Sequence, residues 1–425
     1  MATATTAATS VPKRLILVLL CFLATALCYI DRVNISVAII PMAKQFHWSN
    51  TTKGEVLSSF FIGYLLMMTP GGWLSNRYGG RVAMGAALTL WSLFTLLTPL
   101  AAAMSFATLI AARILMGVGE AVTFPAIVAL YSRWLPMSER TRGISFMFAG
   151  IPAGTIIGLT ASGFLVSGYG WRAAFYFFGV IGLAYAVIWF RLVHSSPDVH
   201  PTISSAERAA LAAIAAERDE LPPVPWGRLL RMKPIWALII NHTSTTWALY
   251  LMLTWLPSYF RDIQHLAIAK SALFSAAPWA TAMLVGPVVG NFADRWVTRG
   301  GNLTTVRKTM QCVAMTGMAA GFLIASQVHD ADTALAVLCG TMAFYALSSS
   351  GFACNHLDIA PRYAAALYGL TNTFATIPGI VGVAITGWLL DLTGTYTATF
   401  VLAAAVASVG ALTWGLWATG DRIID

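Results

Sequence analysis

Charge is what this chain has least of. Only 10% of its 425 residues are Asp, Glu, Lys or Arg, whereas a soluble domain carries about 25%. With less than half the usual complement, a water-facing shell cannot cover the surface, and a bilayer is the natural solvent. Acid is scarcer than base, 17 residues against 26, for a net charge of +9. In a soluble protein that excess would suggest nucleic-acid binding. Here the basic residues sit in short loops between apolar runs, with no basic stripe of interleaved aromatics, so no nucleic-acid partner is expected. Cysteine is sparse too. Cys21, Cys28, Cys312, Cys339 and Cys354 lie in apolar runs, are odd in number and lack CxxC spacing. They read as small buried hydrophobes, not as disulfides or metal ligands. No GxxxxGK[ST] loop occurs, which argues against an ATP-driven pump. No ring of charges or filter motif speaks for a channel.

What the chain has is apolar length. The mean hydropathy is +0.72, and a spanning helix needs roughly 20 mostly apolar residues. Twelve stretches qualify: 15–42, 55–76, 82–102, 106–131, 143–168, 172–192, 234–260, 270–294, 307–327, 333–355, 364–390 and 397–419. The first could pass for a signal peptide, with Lys13 and Arg14 before an apolar run and Ala24-Thr25-Ala26 as a small-residue site. Its apolar character resumes at Val33 and runs to Met42, too long for a signal, so it reads as the first membrane helix. The expected fold class is an all-α membrane protein of twelve transmembrane helices in two six-helix pseudo-symmetric bundles.

Loop charge sets the orientation. The tails and even-numbered loops hold 19 of the 26 basic residues, the odd-numbered loops five, and two lie inside spans. By the positive-inside rule both termini and the long central loop are cytoplasmic, as in an inner-membrane-type protein. That loop, His194 to Lys233, carries Ser204-x-x-Glu207, a capping box opening a helical run that Pro222-Pro223-Val224-Pro225 ends. It divides the chain into 1–192, a 193–233 linker and 234–425.

The two parts repeat. Phe148-Ala-Gly-Ile-Pro152 recurs as Phe374-Ala-Thr-Ile-Pro378. Gly72-x-x-x-Asn76-Arg77 recurs as Gly290-x-x-x-Asp294-Arg295. Such halves lie around an axis along the membrane normal, with the solute site between them near the midplane. That is an alternating-access carrier.

Four charges fall well inside spans of the first half: Asp31, Arg32, Arg113 and Glu120. Each costs about 2.5–3.5 kcal/mol at the bilayer centre, so they must face protein or a cavity. A structural ion-pair network is the plain alternative. Arg113 and Glu120, seven apart, share a face but sit about 10 Å apart along the axis, too far to pair directly. Arg32 and Arg113 both lie about 10–12 Å from the outer ends of their helices. Two guanidiniums at one depth suit bidentate capture of carboxylate or phosphate, hence a small anionic substrate. Asp31 and Arg32, adjacent in sequence, point in different directions. Asp31 and Glu120 are then candidate proton carriers, tuned by the arginines and by burial. Tyr64 and Asn372 could hydrogen-bond the solute or simply hold helices. His242 and His356 read as structural histidines. Gly150, Gly154 and Gly158 at four-residue spacing read as a close-packing face.

These motifs resemble the major facilitator superfamily and, within it, the anion:cation symporter family. That family includes vesicular glutamate transporters, sialin, plant plastid anion transporters and bacterial sugar-acid permeases. The likeness covers the whole chain. "GGWLSNRYGGRV" (71–82) resembles the superfamily's loop after the second helix, with Gly72, Arg77 and Arg81 kept and Asn76 where aspartate is usual. Its second-half copy keeps Asp294 and Arg295. "YIDRVNISVAI", "SSFFIGYLL", "RILMGVGEA", "TWLPSYF" and "NHLDIAPRYA" resemble the symporter family's own patterns. The resemblance implies that Arg32 and Arg113 engage the anion, that Glu120 and Asp31 take part in proton coupling, and that Tyr64 lines the substrate cavity. The glutamate branch has a histidine where this chain has Leu57, and an arginine where it has Thr245. Both departures argue against glutamate.

The reading is a monomeric, proton-coupled symporter of a small organic anion such as a sugar acid, with no cofactor and no metal. Phosphate transport or sodium coupling is the alternative. A membrane enzyme is the rival from another class, but its only acid/base pair, His356 and Asp358, diverges by about 200° on a helix.

Overall fold

The computed structural model describes residues 11–215 and 224–424, and among them every regular element is a helix. The first half holds α1 (Lys13–Phe46), α2 (Asn50–Tyr78), α3 (Gly80–Met104), α4 (Phe106–Glu120), α5 (Thr123–Trp134), α6 (Met137–Tyr169) and α7 (Trp171–Leu192). Two short helices follow, α8 (Ser205–Ala215) and α9 (Trp226–Leu229). The second half holds α10 (Lys233–Asp262), α11 (Ile268–Thr298), α12 (Leu303–Ala325), α13 (Ala331–Ala346), α14 (Phe352–Ile359), α15 (Ala364–Thr393) and α16 (Thr397–Trp417). With α4–α5 and α13–α14 each counted as one broken span, twelve membrane helices result, as expected. Ten are long and apolar enough to cross by composition alone. The other two, α10 and α12, carry polar residues such as Asn241, His242 and Gln311, all buried against protein.

Two expected spans are broken, each for a local reason. The fourth turns at Ala121–Val122, directly after Glu120. Pro125 has no N–H to give the carbonyl of Ala121 and crowds it, so the helix restarts. The tenth breaks between Ala346 and Phe352 through Ser348-Ser349-Ser350-Gly351. There the Gln311 side chain accepts the Phe352 N–H at 3.3 Å, replacing a lost helical bond.

The glycine face of α6 does what its spacing implies. A Cβ on Gly154 would collide with the carbonyl of Ala26, and one on Gly158 would lie 2.8 Å from the Ile30 Cα. Close contact therefore seats α6 along the stretch of α1 that ends in Asp31-Arg32. Likewise Gly117 of α4 lies against the Phe60 carbonyl of α2, which brings Phe60 over Arg113.

The halves meet through α2 with α15, α6 with α11, and α1 with α10. The contact is tight at the side opposite the chain termini. The Asp391 carboxylate on α15 accepts from the backbone N–H of Asn50 (2.9 Å) and Thr51 (2.7 Å), capping α2. Lys53 pairs with Asp262 at 3.3 Å. Midway, Phe61 packs on Tyr250, ring centroids 4.4 Å apart. Toward the termini side the seam opens: no atom lies within 4 Å of where a Cβ would stand on Gly72, Gly286 or Gly290, and Trp73 and Tyr78 are exposed. One side is sealed and the other is open.

The linker departs from expectation in one respect. Ser204 does cap α8, accepting the Glu207 N–H at 3.1 Å. Glu207 does not complete the box. Its carboxylate accepts the N–H groups of Lys13 (3.0 Å) and Arg14 (3.1 Å) and so caps α1. The first N–H groups of α1 lack intrahelical partners, and Glu207 satisfies two of them. The expected helical run beyond Ala215, and Pro222-Pro223, lie outside the described residues.

Candidate functional site

All four intramembrane charges are buried, with exposures of 1% for Asp31, 4% for Arg32, 1% for Arg113 and 0% for Glu120. None faces lipid. They lie on α1 and α4, which the glycine contacts bring together with α2 and α6. Arg32 donates from Nε (3.0 Å) and Nη2 (2.9 Å) to one oxygen of Glu120, Oε2. Cys28 donates its thiol to that same oxygen at 3.2 Å. The Arg32 guanidinium also rests on three rings, Tyr29 at 4.6 Å and Phe60 and Tyr64 at 4.9 Å each. Aromatic faces attract a cation without neutralising it.

Arg113 is held differently. Its guanidinium lies over the Phe60 ring, the ring it shares with Arg32, at 5.4 Å. It donates Nη1 to the Met116 sulfur at 3.4 Å. Its Nε has no hydrogen-bond partner, and no carboxylate pairs with it among the described residues. As the spacing required, Arg113 and Glu120 do not pair. Arg113 is a buried cation in need of an anion.

Asp31 points away from Arg32, as adjacency demands, and accepts the Trp91 indole N–H on Oδ2 at 3.1 Å. Its Oδ1 has no partner, nor has Oε1 of Glu120, nor either end of the Asn34 amide. Each orphaned buried polar atom costs about 1–3 kcal/mol. Several such atoms lie on α1 and α4.

The open two-guanidinium fork expected from depth alone is not what this conformation holds. Both arginines do share Phe60, but Arg32 is occupied by Glu120 and only Arg113 is uncommitted. The physical reason is desolvation: with water excluded, Arg32 takes the nearest carboxylate. Tyr64 lies in the cluster through its ring contact with Arg32. Asn372 does not join it. It is half-buried on α15, beside a separate network in which His242 Nδ1 and His356 Nε2 each lie 3.0 Å from the Thr371 hydroxyl. Those histidines have hydrogen-bond partners, as expected of structural residues. Asp358 is bound to Arg307 at 2.6 Å, not to His356. Of the loop motif, Asn76, Arg77, Asp294 and Arg295 are exposed at the open side with Gly72 beside them. Arg81 is tied to the Phe190 carbonyl of α7 at 2.6 Å.

Reasoning from sequence missed Cys28, Tyr29, Asn34, Phe60 and Trp91. The first two stand four and three residues before Arg32, within reach on one helix face, and could have been found. Phe60 and Trp91 come from other helices, and no spacing announces them.

The family model described as Major Facilitator Superfamily matches residues 21–383. The chain belongs to the major facilitator superfamily. Two relatives refine this. The "Ascorbate transporter, chloroplastic" of Arabidopsis thaliana is 38% identical over 97% of this chain and 76% of its own length. The "Sodium-dependent phosphate transport protein 1, chloroplastic" of the same plant is 39% identical over 97% and 81%. Both fit the anion-transporting branch expected from the motifs. Among solved structures, a bacterial homolog of the human lysosomal transporter Spinster, inward-facing and unoccupied, superposes with a TM-score of 0.76. The match covers 96% of this chain and 97% of that one, at 17% identity, which shows a shared fold. This facilitator is therefore a multi-pass membrane transporter of small solutes, not an enzyme.

Proposed function

We propose that this protein is a symporter that carries a small organic monoanion, of sugar-acid size, together with protons. The carrying observation is a charge count. With both acids ionised, Asp31, Arg32, Arg113 and Glu120 sum to zero, yet Arg113 lacks a counter-ion. An anion arriving at Arg113 leaves the sealed cluster with one negative charge too many. Taking up one proton on a carboxylate restores neutrality, so one proton per anion charge is the minimum that avoids a buried net charge.

Glu120 is the acid most directly affected. An anion bridging Arg113 and Arg32 competes with Glu120 for Arg32, and a displaced carboxylate in an apolar site gains a proton. Asp31, which accepts the Trp91 indole N–H and has no ion-pair partner among the described residues, is the second acid. Tyr64 and Asn34 contribute hydrogen bonds to the solute. The relative named for ascorbate, an anion made from a sugar, supports the substrate class.

The halves 1–192 and 234–425 rock about the site while 193–233 tethers them, and a single copy suffices. Positive-inside asymmetry supports cytoplasmic termini, which makes this conformation inward-open. The short outer loops support a bacterial plasma membrane, although the two relatives are named chloroplastic.

The test is uptake into proteoliposomes of aldonates, aldarates, dicarboxylates and phosphate, under an imposed pH gradient or an imposed sodium gradient. Saturable, pH-driven accumulation of a carboxylate is expected. Sodium-driven phosphate uptake would favour the second reading, which the sodium-dependent phosphate relative supports. Uptake of a neutral sugar and no anion would overturn both.

A further inference from the structure

Away from the central charges, the termini side carries a cleft of about 150 Å³ between the start of α1, the end of α5, the end of α7 and the first turn of the linker. Its lining includes Lys13, Arg191, His194 and His200, with no acid among the lining residues. Trp134 forms its floor and fixes its shape by donating its indole N–H to the His194 carbonyl at 2.9 Å. The His194 and His200 rings lie 4.5 Å apart.

The carboxylate that acts on His200, Glu207, is already engaged. Glu207 accepts two backbone N–H groups of α1 and pairs with Arg14 at 3.5 Å. Neither the Lys13 ammonium nor the Arg191 guanidinium forms an ion pair among the described residues. Burial, then the neighbouring His194 and Lys13, hold the His200 pKa below its ordinary value. The cleft is thus under a positive potential that nothing in its lining offsets.

Hydrogen-bond roles are also assigned. His200 Nδ1 accepts the Thr202 N–H at 3.2 Å, so its ring proton sits on Nε2 as a donor. One wall is apolar and outward-facing: Leu192, which lines the cleft, is 51% exposed at the end of a membrane helix. A free anion needs no such wall, whereas a lipid needs it for its acyl chains.

We propose that this cleft binds the phosphate headgroup of an anionic phospholipid, with Lys13, Arg191 and the His200 Nε2–H on the phosphate and the acyl chains along Leu192. The site fastens the first turn of the linker to α1, α5 and α7, so lipid occupancy stabilises the packing of the linker on the first half. Basic pockets at helix ends are suited to such headgroups.

The full chain, reconstituted in nanodiscs of phosphatidylcholine with graded phosphatidylglycerol, tests this by melting temperature and by native mass spectrometry of retained lipid. Phosphatidylglycerol is expected to raise the melting temperature saturably and to be retained. Lys13→Gln with Arg191→Gln should raise the half-saturating fraction roughly tenfold or more, while Arg299→Gln, exposed in the other half, should not. If the double variant fails to fold, Arg191→Gln alone serves. In histidine-labelled protein, phosphatidylglycerol should raise the His200 pKa. The proposal falls if phosphatidylglycerol stabilises no more than phosphatidylcholine, or if its effect survives both substitutions. It falls equally if inorganic phosphate added to phosphatidylcholine discs reproduces the effect, because the ligand is then a soluble anion.

Discussion

The two halves share a fold and differ in what they bury. The first half encloses four charges and leaves several of their polar atoms without partners. The second half has unpartnered polar atoms too, but they are neutral, and it encloses a neutral network whose members bond one another. Asn241 donates to the Gly410 carbonyl at 3.0 Å, Gln311 donates to Asn241 at 3.2 Å, and Thr371 joins His242 to His356. The charges of the second half sit near its ends, as in Arg307–Asp358 and in Asp262, which reaches across to Lys53 of the first half. A satisfied neutral network rigidifies, while an unsatisfied charged one is poised to accept a ligand. Charge chemistry is therefore assigned to one half and framework to the other.

The sharpest way to break that contrast is Arg113→Met. Loss of the buried charge proposed to meet the anion costs about 2–5 kcal/mol of binding, so uptake should fall by roughly thirtyfold or more. The melting temperature should change little, because an unpaired buried cation is relieved while the net negative charge left in the cluster must be neutralised by a proton on Asp31 or Glu120. Uptake and melting curves on one preparation check both. A stability loss with uptake intact would make Arg113 a packing residue.

Removing the acids should separate their two roles. Glu120→Gln strands Arg32 without its counter-ion and should destabilise the protein by about 3–5 kcal/mol. Asp31→Asn keeps an oxygen for the Trp91 indole, so its stability cost should be slight. Both should abolish pH-driven accumulation, and Asp31→Asn should retain solute exchange across the membrane without a gradient. Full pH-driven accumulation by both variants would end the coupling assignment. In the other half, His242→Gln or His356→Gln should cost about 1 kcal/mol through one lost hydrogen bond and leave the pH profile of uptake unshifted. A shifted profile would move proton handling into the second half.

The spans and the four buried charges were legible because a bilayer makes both conspicuous: apolar length is obligatory, and a charge inside it needs a reason. The α6 glycine face was legible because four-residue spacing is a helix property. What could not be read was which partner each charge takes. Arg32 and Glu120 are 88 residues apart on different helices, and no spacing in the sequence announces their pairing. The same holds for Glu207, whose local sequence announces a cap for α8 while its carboxylate caps α1. Local pattern fixes what a side chain can do, and helix packing decides for whom it does it.

The smallest expected effect lies at the sealed side, where the halves are joined by Asp391 on the start of α2. A carboxylate at a helix N-terminus contributes about 0.3–1 kcal/mol, and an amide oxygen in its place would still accept one N–H. Asp391→Asn should therefore weaken the clasp without unfolding either half. The population open on that side should grow by about two- to fivefold. Spin labels placed across the α2–α15 seam would report this as a longer-distance component in pulsed distance measurements. Because Lys53–Asp262 independently joins α2 to α10 on the same side, adding Lys53→Met should enlarge the component further. If the distances stay unchanged in both variants, the seam is held by apolar packing around Phe61 and Tyr250, and the two halves divide their labour at the site but not at the gate.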